Sequence, residues 1–186
     1  MIEVIEGQRT FTVDEYHRMG EAGVFAADER VELIRGVIRE MSPKGRKHRI
    51  AVGLATQLFV RRLADRASAQ IQDPLTLAAL RSEPEPDVVV ASSPDPRDIG
   101  TERSQPLLVI EVADSSLRFD REVKGRLYAE AGIADYWIVN LVDDVLEVYR
   151  DPRAGTYSTK LVCKAGDRIA PLSFPDLDVA VRDLIP

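Results

Sequence analysis

Two stretches, EPEPDVVVAS at residues 83–92 and PLLVIEVADSS at 106–116, constrain what this 186-residue chain can fold into more than any other feature. Each is an apolar run of strand length that carries one carboxylate. Continuous runs such as Val88-Val89-Val90 and Leu107-Leu108-Val109-Ile110 suit strands covered on both faces, so the two belong at the centre of a sheet. Asp87 heads the first and Glu111 stands near the tail of the second. An ionised carboxylate in such a setting loses hydration and must recover it from a metal, a cation or dense hydrogen bonding.

The remaining pattern surrounds these strands with helices. Thr12-Val-Asp-Glu15 has the form of a capping box, and the helix it starts runs through Tyr16 and Met19 to a break near Gly23. Val31–Ile34 and Val37–Met41 read as a hairpin about Arg35-Gly36. After the basic cluster Lys44, Arg46, Lys47, His48 and Arg49, the residues Ile50, Ala51, Leu54, Leu58 and Leu63 recur at helical spacing and predict the longest helix. Ile71–Leu80 is predicted as a strand, as are Asp87–Ala91 and Leu107–Ala113, and the Pro- and Gly-bearing link 92–106 as a loop. Asp120 is placed as the N-cap of a helix through Val123, Leu127 and Tyr128 that ends at Gly132. Tyr136–Val139 and Val145–Tyr149 are further strands joined through Asp143-Asp144, and 157–186 reads as short strands and turns.

Composition bounds the class. With 45% hydrophobic and 30% charged residues the chain can bury one good core, and no linker divides it, so 1–186 is expected to be a single domain. No apolar run approaches the ~20 residues of a membrane helix, and the acids of the opening MIEVIEGQRT differ from a secretory leader, so a cytoplasmic location without a membrane is expected. One cysteine, Cys163, and two histidines, His17 and His48, cannot build a Cys/His zinc site of usual spacing. The net charge of −6 argues against coating nucleic acid by bulk electrostatics but leaves room for a local basic groove at 44–49.

If the two central strands are antiparallel neighbours, the start of one lies beside the end of the other and Asp87 meets Glu111. Alternation puts Val109, Glu111 and Ala113 on one face and Leu108, Ile110 and Val112 on the other. Two converging carboxylates raise one pKa or take a cation between them. All-oxygen ligation of this kind suits Mg²⁺ or Mn²⁺, which keep several waters and use one or two carboxylates plus substrate phosphate.

The ordered set Pro-Asp87-Val-Val-Val, Val-Ile-Glu111-Val, Asp120-x-x-x-Lys124-x-x-x-Tyr128 and Gly132-Ile-Ala-Asp-Tyr-Trp137 resembles the Uma family of endonucleases, of the restriction-endonuclease-like PD-(D/E)XK superfamily. VELIRGVIREMSP with the following His48, and the closing AGDRIAPLSFPDLDVAVRDLI, extend the resemblance from about Tyr16 to the C-terminus. The resemblance implies an α/β (α+β) fold, a mixed central sheet flanked by helices with an N-terminal helix and hairpin. It also implies a metal held by Asp87, Glu111 and the carbonyl of Val112. The superfamily lysine two positions after the glutamate is absent, since Ala113 stands there, and Lys124 is the residue that matches the role in this branch. The implied activity is metal-assisted hydrolysis of phosphodiester bonds in DNA, with Lys124 orienting the water or stabilising developing charge. Glu32, in Val-Glu-Leu-Ile-Arg-Gly, matches the family's early acid and could hold a second metal or an outer water. One site per chain and two strands to cut imply a homodimer or two visits.

Each residue has a plainer alternative. Asp87 after Pro86 could simply open a strand, Glu111 could pair with an arginine, and Lys124 could bridge to Asp120 on its own helix. Glu32 and His48 divide evenly between surface roles and the site, with His48 placed to contact a phosphate or orient a carboxylate. Tyr128, Tyr136 and Trp137 read as core. A non-catalytic module on the same fold, binding nucleic acid or protein, is the competing function.

Overall fold

Helix α1, Val13–Glu21, starts where the capping box predicts: Thr12 Oγ1 accepts the Glu15 N–H at 3.2 Å, and Glu15 Oε2 accepts the Thr12 N–H at 3.0 Å. The computed structural model describes residues 7–186. The chain forms two compact units, one from the residues up to Pro43 together with Pro74–Glu85, the other from Lys44–Asp73 together with Pro86–Pro186.

The first unit holds α1 and the hairpin of β1, Val31–Ile34, and β2, Val37–Glu40. Its turn residues Arg35 and Gly36 have φ of 52° and 76°, the paired left-handed conformation whose twist suits a two-residue hairpin. Glycine is required at the second position for a further reason. A Cβ on Gly36 would stand 2.6 Å from Thr10 Cβ and 2.9 Å from the Phe11 carbonyl oxygen. Leu33 of β1 exchanges main-chain hydrogen bonds with Glu83 of the returning segment.

The second unit is a six-stranded sheet in the order β3-β4-β5-β6-β7-β8. The strands are β3, Ser68–Ile71; β4, Val88–Ala91; β5, Pro106–Ala113; β6, Asp135–Asn140; β7, Val145–Arg153; and β8, Thr156–Cys163. Only β5 and β6 run parallel. A parallel pair cannot be closed by a tight turn and needs a crossover. That crossover is a helical run: α3, Leu117–Phe119, a π-helical turn, Asp120–Lys124, and α4, Gly125–Glu130. Two short strands, β9, Arg168–Ile169, and β10, Val179–Ala180, pair near the C-terminus.

Helix α2, Arg46–Leu63, covers one face of this sheet. Its buried residues His48, Ala51, Val52, Ala55, Phe59 and Leu63 recur every three or four positions, and Phe59 meets Trp137 edge-on at 6.1 Å. Leu108, Ile110 and Val112 of β5 join the same core. On the opposite face α4 brings Tyr128 against Tyr136 at 5.1 Å. The expected mixed sheet flanked by helices is borne out, as are both central strands, and the antiparallel pairing on which the approach of Asp87 to Glu111 was conditional is present.

Three local expectations are corrected. The first sheet strand is Ser68–Ile71, not Ile71–Leu80, where the chain makes turns and a short 3₁₀ helix at Ala78–Leu80. Polar Ser68 and Gln70 hid the strand, and Pro74 ends the extension. The buried stripe of α2 is shifted: Ile50, Leu54 and Leu58 are only partly covered, while Val52, Ala55 and Phe59 form the core edge. Asp120 is not a cap, because helical structure begins at Leu117 and Asp120 lies inside the run, 2% exposed.

Candidate active site

The register of β4 and β5 sets Val88 opposite Ile110, so one step back Asp87 stands level with Glu111. Both carboxylates are buried at 4% exposure. Val112 ties them together, its N–H donating to Asp87 Oδ2 at 2.9 Å. In an extended strand the N–H and C=O of one residue face the same edge. The Val112 carbonyl therefore lies on the β5 edge just beyond the start of β4, beside the two acids.

Asp87 is held from several sides. His48 Nε2 donates to Oδ2 at 3.1 Å, Gln72 Nε2 donates to Oδ1 at 3.1 Å, and the Lys44 ammonium stands 3.6 Å from Oδ1. Burial pushes the Asp87 carboxyl up, but His48, by hydrogen bond and charge, with the Val112 N–H and Lys44, brings it below the ordinary carboxylate range. Because an ionised carboxylate only accepts, Nε2 of His48 carries the proton. Its Nδ1 is a buried nitrogen with no hydrogen-bond partner among the described residues.

Glu111 has the opposite electrostatics. Lys124 Nζ donates to Oε1 at 3.0 Å and Tyr128 Oη donates to the same oxygen at 2.8 Å. Burial pushes the carboxyl up, to about 8, against the Lys124 ammonium, and the carboxylates of Asp120 and Asp87 push the same way as burial. A cation at this position would restore the ionised form.

Lys124 reaches Glu111 because its helix is the crossover between β5 and β6 and must return over the sheet. The π-helical turn at Asp120–Lys124 adds one residue to the turn, which rotates the downstream side chains by about 100° relative to an uninterrupted α-helix. The same turn is anchored from outside. Arg121 forks onto Glu147 of β7, a carboxylate that is 1% exposed and also accepts from Tyr149, Lys160 and Asn140. Asp120 accepts the Ser116 hydroxyl at 2.6 Å, and its main-chain carbonyl accepts Tyr136 Oη at 3.1 Å.

The structure thus brings Asp87, Glu111, Val112 and Lys124 together, with His48 hydrogen-bonded to the Asp87 carboxylate, one of the two roles its sequence position offered. Glu32 lies in the other unit, buried on β1 and ion-paired with Arg39 at 3.2 Å. Glu111 pairs with a lysine rather than an arginine. Tyr128 is core, as read, but its hydroxyl also serves the site. Its place four residues after Lys124, one helical turn on, was the available signal. Lys44 reads only as part of the basic cluster at 44–49, and Gln72 carries no signal, since it sits outside a patterned element.

Among the described residues no three His, Cys, Asp or Glu side chains gather into a metal cluster. The donor set is sparser: two carboxylates and a main-chain carbonyl edge. Sparse all-oxygen sets fit Mg²⁺ or Mn²⁺, which complete their shells with water and phosphate. The unpartnered Nδ1 of His48 and the raised carboxyl of Glu111 fit such an ion with its water shell. Among the described residues no helix is long and apolar enough to cross a membrane.

Comparison with solved structures finds the crystal structure of "a putative nuclease belonging to DUF820" from Anabaena variabilis. It has a TM-score of 0.71 at 18% identity, covering 94% of this chain and 97% of the other, and so shares the fold. No curated protein matches the chain. The family Uma2, described as "Putative restriction endonuclease", matches residues 13–182, which takes in both central strands, the crossover helix and the hairpin. The chain belongs to the Uma2 family.

Proposed function

We propose that this protein is a divalent-metal-dependent endonuclease that hydrolyses phosphodiester bonds in DNA, with Mg²⁺ or Mn²⁺ as cofactor. The observation that carries the reading is the meeting of Asp87 and Glu111, 24 positions apart on adjacent strands, with the Lys124 ammonium 3.0 Å from Glu111. Asp87, Glu111 and the Val112 carbonyl would hold the ion. When bound, such an ion supplies a Lewis acid for a phosphoryl oxygen and a water of lowered pKa. His48 and the Val112 N–H fix the Asp87 carboxylate, and Tyr128 fixes Glu111, so the acids present a preset geometry. Lys124, hydrogen-bonded to Glu111, would orient the attacking water or stabilise the charge that grows on the phosphoryl oxygens. Arg46, Lys47 and Arg49 are exposed on the first turns of α2, the helix that carries His48, and offer contacts to the DNA backbone despite the net charge of −6. Cutting both strands with one site per chain calls for a homodimer or for two visits by one chain.

Nicking of a supercoiled plasmid in Mg²⁺ or Mn²⁺ tests the reading. The native protein nicks, and Asp87→Ala and Glu111→Ala fail to, with rates down by a factor of about 10² or more. Equal behaviour of all three proteins refutes catalysis by this site. Glu32→Gln in the same assay decides whether the fourth sequence candidate takes part.

A further inference from the structure

Without an ion, two carboxylates level with one another on adjacent strands must be neutralised from within. The structure does this with one lysine for each acid. Lys124 places a 3.0 Å hydrogen bond on Glu111, and Lys44 sets its ammonium 3.6 Å from Asp87 Oδ1 with its side chain 15% exposed. The two lysines are not equivalent. Lys124 sits on the crossover helix and is 4% exposed, whereas Lys44 lies before α2 and reaches the site by a long, flexible stem.

Asp87 has little acceptor capacity left. Its Oδ2 accepts from Val112 N–H at 2.9 Å and from His48 at 3.1 Å; its Oδ1 accepts from Gln72 at 3.1 Å and faces Lys44. A carboxylate has about four lone-pair sites. A divalent ion that binds Asp87 must therefore claim the direction now held by the most distant of these groups, and that is Lys44 at 3.6 Å.

We infer that Lys44 is an internal counter-ion of the metal site: its ammonium neutralises Asp87 in the ion-free protein and is displaced by the incoming divalent cation. This rests on the metal-site reading proposed above. The lysine opposes binding twice, since its contact with Asp87 must be broken and its charge repels a dication held nearby. Its removal therefore tightens metal binding, the reverse of what loss of a phosphate-binding lysine would do.

The test is Mn²⁺ binding to the DNA-free protein by isothermal titration calorimetry, at fixed ionic strength, with the thermal midpoint in EDTA and in Mn²⁺ read alongside. Lys44→Met binds Mn²⁺ about tenfold more tightly than native, which is about 1.4 kcal/mol. Its midpoint in EDTA falls, and Mn²⁺ raises it by more than it raises the native one. Lys44→Gln repeats the result, and Lys44→Arg, which keeps the charge, stays near native. Lys164→Met removes the same charge from an exposed position just past β8 and leaves the affinity within about twofold, which separates local displacement from bulk charge. Unchanged or weaker Mn²⁺ binding by Lys44→Met, while Asp87→Asn abolishes it, overturns the counter-ion role and leaves the metal site standing. Mn²⁺ binding that is absent in the native protein, or indifferent to Asp87→Asn, overturns both.

Discussion

Replacement of Glu147 by glutamine should destabilise the protein by an amount that depends on pH in a defined way. Glu147 is 1% exposed on β7 and accepts from Arg121, Tyr149, Lys160 and Asn140. Burial pushes its carboxyl up, but these four partners more than reverse that and bring it from the ordinary 4.5 down to about 2. A group that ionises near 2 when folded and near 4.5 when unfolded contributes about 1.4 kcal/mol for each pH unit between the two, or about 3 kcal/mol at neutral pH. The cationic partners Arg121 and Lys160 reach solvent, with side chains 36% and 44% exposed, so screening trims this to about 2–3 kcal/mol.

Because the folded value is depressed, the contribution is complete above the unfolded value of 4.5 and is lost as pH falls through the folded value of about 2. Urea unfolding of native protein and Glu147→Gln should therefore differ by about 2–3 kcal/mol at pH 7 and by about 1 kcal/mol at pH 3. Arg121 lies on the π-helical turn that ends at Lys124, so the variant should also exchange the amides of 120–124 faster at pH 7. A stability gap that is the same at both pH values, or under about 0.5 kcal/mol at pH 7, refutes the reasoning, because then the buried carboxylate is not what its cationic partners stabilise.

The Glu111 hydroxyl contact and the hairpin turn give two further expected outcomes. Tyr128→Phe removes one of the two hydrogen bonds on Glu111 Oε1 without changing shape, and should cost about 1–2 kcal/mol in urea unfolding; no loss would mean that the hydroxyl is dispensable to the buried acid. Gly36→Ala forces a Cβ to 2.6 Å from Thr10 Cβ at a residue with φ of 76°, and should cost about 1–3 kcal/mol, read as faster amide exchange in the β1–β2 hairpin; unchanged protection would show that the turn adapts without strain.

The elements that could be read from the sequence are those in which one local rule acts alone. The capping box at Thr12–Glu15 and the turn at Arg35-Gly36 satisfy their own backbone groups, so neighbours had little to override. Val88–Ala91 and Pro106–Ala113 were legible because two-sided burial leaves them apolar apart from Glu111. Ser68–Ile71 was not, because it lies at one end of the sheet order and tolerates Ser68 and Gln70. The start of the crossover helix was misplaced by four residues, from a cap at Ser116 to one at Asp120, because Asp120 looks like a cap in isolation. Its carboxylate does accept a hydroxyl, from Ser116, but within the helix and with no N-terminal N–H to satisfy.

The site divides along the same line. The approach of Asp87 to Glu111 comes from a single topological fact, that two buried runs joined by a loop pair antiparallel; composition marks both runs as buried strands, and the structure supplies their direction. What fixes the carboxylates is of a different kind. His48 comes from the first turn of α2, Gln72 from just past β3, Lys44 from before α2, and Tyr128 from one turn beyond Lys124. Each is a polar residue at an element's edge or on a helix face, where a solvent-facing role fits the local pattern equally well. Only the path of the chain through the sheet decides between the two, and the π-helical turn shows how finely: without its extra residue, the side chain at 124 would be rotated by about 100°, and Glu111 would be buried without its ammonium. Acids that must not be buried alone announce themselves in an apolar sequence; the donors that make their burial tolerable do not.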